Sequence, residues 1–205
     1  MMATATRPVV FVVDDDEDVR DSLRALLESA HWPVEDFAAA ADFLAHDGLE
    51  EGGCLVTDIR MPGMDGLALQ ATLAARGIGL PVIVVTGHGD VPLAVQAMKA
   101  GAVDFLEKPF DDEQILTAVV RAVDRHRQDQ GRQAAISAAR ARLDLLTPRE
   151  RQVLDLLVQG RPNKVIAFEL DISPRTVEIH RAHLMEKMDA RSLSDLVRVA
   201  IAAGD

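Results

Sequence analysis

Residues 9–20 read VVFVVDDDEDVR: five apolar residues, then at once a run of carboxylates. A run that short and that rich in valine reads as a strand buried on both faces, with charged groups where the chain leaves the sheet. The same grammar returns along the first half of the chain. Residues 54–57 (CLVT) end at Asp58, residues 82–85 (VIVV) end at Thr86, and residues 103–106 (VDFL) come just before Lys108. A weaker run at 34–37 makes five. Between these runs, residues 19–29, 39–45, 66–75 and 93–100 carry apolar side chains at helical spacing. Strands alternating with helices predict an α/β domain, a doubly wound five-stranded parallel sheet with helices on both faces. Functional groups in such a sheet gather at the carboxyl ends of the strands, where Asp14, Asp15, Asp58, Thr86 and Lys108 all fall.

The second half reads differently. A helix is expected from residue 112 towards 127, followed by a polar Ala/Arg/Gln-rich stretch interrupted by Gly131. We read 127–142 as a partly helical linker, more solvated than recognising. It divides a first domain, 1–126, from a last one, 143–205. The last domain is predicted to be all-α with four helices. TPRE at 147–150 is a capping box with proline at the first helical position, and the helix it starts ends at Gly160. A second helix covers 163–170. Ser173-Pro174 opens a third reaching Met188, and Ser192 with Asp195 caps a fourth.

Composition narrows the partners. The chain has 205 residues, 48% hydrophobic and 27% charged, with one cysteine and no tyrosine. That describes a soluble globular protein expected in the cytoplasm, without a disulfide or a multi-cysteine zinc site. The five-residue run at 9–13 is too short for a signal peptide, and nothing approaches the roughly 18 apolar residues of a membrane span, so no membrane partner is expected. The net charge of −11 is unevenly spread. Residues 1–126 hold 9 Lys+Arg and 22 Asp+Glu, net −13, whereas 127–205 hold 13 and 11, net +2. The acidic part cannot bind nucleic acid by counterion release; the other can if its cations share a face.

If the first and third strands are neighbours, Asp14, Asp15 and Asp58 meet at one edge. Packed carboxylates repel one another, and a divalent cation is the natural neutraliser. Hard oxygen donors favour Mg²⁺, which binds through few protein carboxylates. An aspartate is already ionised at neutral pH and can attack a phosphoryl group without a base; Mg²⁺ and Lys108 would offset the charge of the transfer. The segments VVDDDEDVR, LVTDIRMPGMDG, VVTGHGD and FLEKPF resemble, in order, the four signatures of two-component receiver domains, whose sheet is flavodoxin-like. The resemblance implies Asp58 as phosphoacceptor. It also implies Mg²⁺ held by Asp15, Asp58 and the Arg60 backbone carbonyl, with Asp14 acting through water. Thr86 would turn to the phosphoryl oxygen, Phe105 would follow it inward, and Lys108 would pair with the phosphoryl group across a cis Lys108–Pro109 bond. Asp65 is expected to cap the next helix. Arg60 and His88 would tune water access; a TGHG turn taken alone reads as a turn more than a phosphate cradle, and His88 is not a ligand candidate.

Along 173–188, Val177, His180, Leu184 and Met188 recur at helical spacing and should face the core. Glu178, Arg181 and Met185 then lie opposite, with Arg175 and Thr176 near the helix start. A helix seated in the major groove presents such a face to bases. Arg175 or Arg181 could read guanine, and Lys164, Arg149 and Lys187 are candidates for phosphate. The segment from Leu146 to Met188 resembles the DNA-binding domain of the LuxR/NarL/FixJ group of response regulators. Residues 86–110 and 163–181 are especially similar to its FixJ branch. Where some relatives carry lysines on the recognition face, this chain has Glu178 and Ala182. A carboxylate there could accept from cytosine but repels phosphate.

The function these readings imply is a phosphorylation-dependent transcriptional regulator, not an enzyme. A sensor histidine kinase would phosphorylate Asp58, and the receiver would form a homodimer through residues 93–99 and 103–107. The helix-turn-helix would then bind double-stranded promoter DNA, with RNA polymerase as a further partner. Two alternatives are weaker. A dehalogenase-like phosphotransferase needs Gly-Thr after its first-strand acidic motif, where this chain has Glu17-Asp18. A small-ligand sensor needs an apolar, usually aromatic pocket, against an aromatic content of 3%.

Overall fold

A computed structural model describes residues 7–87 and 91–204. Among these the chain divides into two compact units, 1–129 and 130–205. In the first unit, β1 (Val10–Val13), β2 (Val34–Phe37), β3 (Cys54–Asp58), β4 (Val82–Thr86) and β5 (Asp104–Glu107) form one sheet of order β2-β1-β3-β4-β5. All four pairings are parallel. The helices are α1 (Glu17–Ser29), α2 (Ala40–Leu44), α3 (Gly66–Ala75), α4 (Val91–Lys99) and α5 (Asp112–Asp144), with a short 3-10 turn at Leu49–Glu51.

The period-two alternation of the strands builds two cores. Phe11, Val13, Leu55, Val82 and Val84 face Phe43, Leu69, Leu73 and Ala97, from α2, α3 and α4. Val10, Val12, Cys54, Val56, Ile83 and Val85 face Leu23 and Leu27 of α1 and Ile115, Val119 and Ala122 of α5. The scarce aromatics are concentrated: Phe11, Phe37 and Phe43 form one cluster with tilted and edge contacts, beside His46.

The second unit holds α6 (Pro148–Val158), α7 (Asn163–Glu169), α8 (Pro174–Lys187) and α9 (Leu193–Gly204). Each expected cap is formed. The Thr147 and Glu150 capping box is reciprocal, Ser173 Oγ accepts from the Thr176 N–H, and Ser192 Oγ accepts from the Asp195 N–H. Gly160, with φ 76°, ends α6 in the left-handed turn that glycine adopts without strain.

One expectation is corrected. The stretch 127–142 is not partly helical: α5 runs unbroken through Gly131 to Asp144. A glycine inside a helix costs only about 1 kcal/mol relative to alanine, and the flanking Ala, Arg and Gln residues are strong helix formers that outweigh it. The division between units falls inside this helix, and Ala139 and Leu143, near its end, are buried in the core of the second unit.

Candidate functional site

The parallel register sets the site. Val13 pairs with Thr57, so Asp14 and Asp58 leave the sheet side by side, while Thr86 ends β4 opposite Glu107. The three carboxylates of the 14–16 run part ways. Asp14 is buried at 2% exposure, Asp15 is exposed, and Asp16 caps α1 by accepting from the Asp18 and Val19 N–H groups. Lys108 reaches in from beyond β5, fixed by its own N–H donating to the Thr86 carbonyl at 2.8 Å. Its Nζ donates to Asp14 Oδ2 and to Asp58 Oδ1, each at 2.8 Å. Asp58, 8% exposed, also accepts from the Arg60 N–H on Oδ2 at 2.6 Å. The Lys108–Pro109 bond is cis, as expected.

Charge at this edge is unbalanced. Burial raises the Asp14 carboxyl above its ordinary 3.8; the Lys108 hydrogen bond opposes this, and Asp58 adds to the rise. Burial works to lower the Lys108 ammonium, but its bonds to Asp14 and Asp58 hold it above 10.5. One lysine thus faces two buried carboxylates, with Asp15 and the Arg60 backbone at the opening. These are hard oxygen donors with an uncompensated negative charge, a chemistry that fits a hard divalent cation such as Mg²⁺. Among the described residues no three His, Cys, Asp or Glu side chains are already gathered to hold a metal ion. The residues at this edge that could hold such an ion are Asp14, Asp15 and Asp58 with the Arg60 carbonyl.

The two residues expected to act as switches differ in exposure. Thr86 is buried and its hydroxyl donates to the Gly87 carbonyl at 3.3 Å. Phe105 is 42% exposed and therefore stands outward in this structure. Beside it Val95 and Met98 of α4 are also exposed, so the 93–99 and 103–107 face carries uncovered apolar side chains. Asp65 caps α3 as expected, accepting from the Ala68 N–H at 2.7 Å. His88 lies outside the described residues.

Sequence reasoning missed two supports of this site. Arg20 donates to the Asp14 carbonyl at 2.8 Å and pairs with Asp36 at 3.4 Å, anchoring the β1 end from α1. Gly66 passes so close to β3 that a Cβ there would overlap the Asp58 carbonyl oxygen. The MPGMDG segment carried the second signal in its last glycine; a lone arginine two residues after a carboxylate run carried none.

In the second unit, Val177, Leu184 and Met188 are buried and His180 is half-buried with Nδ1 lacking a hydrogen-bond partner, so the core side of α8 is the expected one. The opposite side differs in part. Arg175, Glu178, Ile179, Ala182 and Glu186 are exposed, but Met185 packs against the core. Position 185 directly follows the buried Leu184, and its flexible side chain leans inward. Arg181 is half-buried and donates to Asn163 Oδ1 of α7 at 2.5 Å, a positioning partner the sequence did not disclose. Thr176 is half-buried, with its Oγ1 2.8 Å from Ser173 Oγ, and Lys164 is exposed. Lys187 is already engaged within the unit. Its Nζ donates to the buried Glu150 at 2.7 Å and to the Leu145 carbonyl at 3.3 Å, because a buried carboxylate at the start of α6 demands a cation. Arg149 is likewise engaged, with Gln152 and the Leu170 carbonyl.

Comparison with known proteins adds independent findings. Residues 10–120 match the Response regulator receiver domain and residues 144–200 the Bacterial regulatory proteins, luxR family. The chain is 55% identical over 196 residues to the transcriptional regulatory protein FixJ of Azorhizobium caulinodans, covering 95% of this chain and 92% of that one. It is 50% identical over 201 residues to FixJ of Bradyrhizobium diazoefficiens, covering 97% of both. The solved structure of the response regulator StyR is similar with a TM-score of 0.84 at 45% identity, over 95% of this chain and 98% of that one. Full-length FixJ from B. japonicum gives 0.62 at 48% identity, over 98% of each. No described helix is long and apolar enough to cross a membrane.

Proposed function

The chain belongs to the FixJ-like response regulators, which join a receiver domain to a luxR-family DNA-binding domain, and on that premise we propose that it is a transcriptional regulator switched by phosphorylation of Asp58. The reading is carried by one observation. Asp58 keeps an opening to solvent at a strand end while Lys108 holds it and Asp14 at 2.8 Å each.

An Asp58 carboxylate oxygen attacks the phosphorus of a phosphohistidine on a sensor kinase; the new P–O bond forms as the P–N bond breaks and the imidazole leaves. Mg²⁺, held by Asp15, Asp58 and the Arg60 carbonyl with Asp14 acting through water, would neutralise charge on the phosphoryl oxygens. Lys108 exchanges one carboxylate partner for a phosphoryl oxygen. The Thr86 hydroxyl leaves the Gly87 carbonyl for another phosphoryl oxygen, and Phe105 moves into the space this opens. The exposed face of Val95 and Met98, reshaped as Phe105 withdraws, then pairs with its copy on a second chain. Two helix-turn-helix units reach adjacent half-sites, α8 lying in the major groove. Arg175 and Arg181 read bases, Lys164 contacts phosphate, and Thr176 and Glu178 lie at the same surface. A promoter-bound dimer would in turn meet RNA polymerase.

The test treats the full chain with acetyl phosphate and Mg²⁺, follows sedimentation, and measures gel-shift affinity for a duplex enriched from a random-sequence pool. Dimerisation and tighter DNA binding, both lost in Asp58→Asn, are the expected result. Pairing that persists in Asp58→Asn removes Asp58 as the acceptor.

A further inference from the structure

Resting on the reading of α8 as the DNA-facing helix, we propose that the last turn of α5 belongs to the DNA-binding machinery: Arg142 caps the C-terminus of α8 and positions it. The two ends of α8 are finished in different ways. Its N-terminus is capped by its own Ser173 and Pro174. At its C-terminus the backbone turns over at Asp189, φ 51°, with the Ala190 N–H donating to Met185 O at 2.9 Å. The carbonyls of a last helical turn carry partial negative charge and lack intrahelical donors. Arg142 supplies one from another element. Its Nη1 donates to Met188 O at 3.4 Å, and its Nη2 pairs with Asp189 Oδ2 at 3.1 Å.

The rest of the α5 end is built into the same place. Ala139 and Leu143, four residues apart on one face, are buried with Leu184 and Met188. The Leu145 carbonyl just beyond α5 accepts from Lys187, and the Leu143 carbonyl accepts from Arg151 at 3.4 Å. Arg142 reaches α8 from the last helical turn of α5. Unwinding that turn withdraws the cap and two core side chains together. The orientation of α8 is therefore conditional on the helical state of α5, and this segment is a positioning element, not a passive tether.

Arg142→Met and Arg142→Lys, made in the full chain, test this. Hydrogen exchange is read at amides 184–190 and, as control, at 153–157 in α6. With acetyl phosphate and Mg²⁺ present, affinity is read for a duplex enriched by the wild-type chain and for a random-sequence duplex. A partly exposed, charge-assisted cap implies exchange at 184–190 faster by about threefold or more in Arg142→Met, with 153–157 unchanged. The same variant should lose affinity for the enriched duplex but not for the random one, and Arg142→Lys should recover most of both effects. Unchanged exchange at 184–190, an equal rise at 153–157, or a lysine variant no better than methionine overturns the proposal. If the wild type enriches no duplex, the DNA reading of α8 falls, while the exchange measurement still decides the cap.

Discussion

Glu150→Gln separates a charge from a cap at one buried atom pair. Glu150 is 3% exposed at the start of α6, and one of its oxygens, Oε2, accepts from the Thr147 N–H at 2.8 Å and from Lys187 Nζ at 2.7 Å. The Lys187 bond, working against burial and aided by Thr147, holds the carboxyl at about 2 instead of 4.5. A carboxylate held that low is stabilised in its charged form by at most about 3 kcal/mol. Lys187 is one-third open to water, and screening brings this to about 1–3 kcal/mol. Because the folded value is depressed, the stabilisation is complete above 4.5 and is lost as pH falls towards 2. By linkage, more than half of it is gone by about pH 3. Glutamine keeps an oxygen for the Thr147 N–H but no charge for Lys187. The opening free energy of amides such as Val153 and Leu184, from hydrogen exchange, should therefore fall by about 1–3 kcal/mol at pH 6. By about pH 3 the gap from wild type should shrink to less than half. Fluorescence is the wrong probe, since Trp32 packs in the first unit. A gap equal at both pH values, or none at pH 6, refutes the assignment of the stability to this charge.

Asp14 has the opposite sign, its folded value being raised, so its contribution is present in acid and lost as pH rises through that value. Asp14→Asn should accordingly stabilise the first unit at pH 7 and much less at low pH, as followed by Trp32 fluorescence in urea. Lys108→Met, which leaves Asp14 and Asp58 without their shared cation, should raise the Asp14 titration midpoint further and slow phosphorylation by acetyl phosphate; carboxyl NMR and a phosphorylation time course check both. A fragment covering 143–205 omits Ala139 and Arg142, and should unfold at lower urea than 130–205 by roughly 1–2 kcal/mol. Arg181→Ala should weaken specific DNA binding by about 1–3 kcal/mol and relax preference at one base position, measured by competition with altered duplexes.

The first unit was legible because its signals are local and redundant. Four of the five strand runs are too short and too apolar for a surface helix and lead to a chemically distinctive residue, so order and strand-end placement together specify Asp14, Asp58, Thr86 and Lys108. The expected caps of the second unit were legible for the same reason: Thr147, Ser173 and Ser192 act within three residues of themselves. What stayed hidden depends on long-range pairs. Lys187 looks like a solvent-facing cation in α8 until the fold brings the buried Glu150 against it, 37 residues away in sequence. Arg181 and Asn163 are 18 residues apart, and Arg142 and Asp189 are 47. The α5 end was hidden for another reason. Gly131 marks a break locally, whereas the burial of Ala139 and Leu143 rewards continuing the helix, and no local pattern reveals that burial.

These long-range pairs change the electrostatic case for how the regulator works. Lys187 and Arg149 are engaged inside the second unit, Arg181 is held by Asn163, and Glu178 stands exposed on the recognition helix. Lys164 and Arg175 remain the exposed cations of the expected contact set, and only Lys164 is assigned to phosphate, so a single unit would neutralise few phosphates. It does so attached to a part of the chain with net charge −13, by the count above. On the proposed function, counterion release by one chain is then small, and a weak hold on DNA is expected of the monomer. Joining two chains doubles the phosphate contacts, and tethering can raise avidity by about 10²- to 10⁴-fold without any change in α8 itself. On that proposed function, a weakly held monomer would make phosphorylation decisive: the exposed Val95 and Met98 face would set how many copies of α8 arrive together.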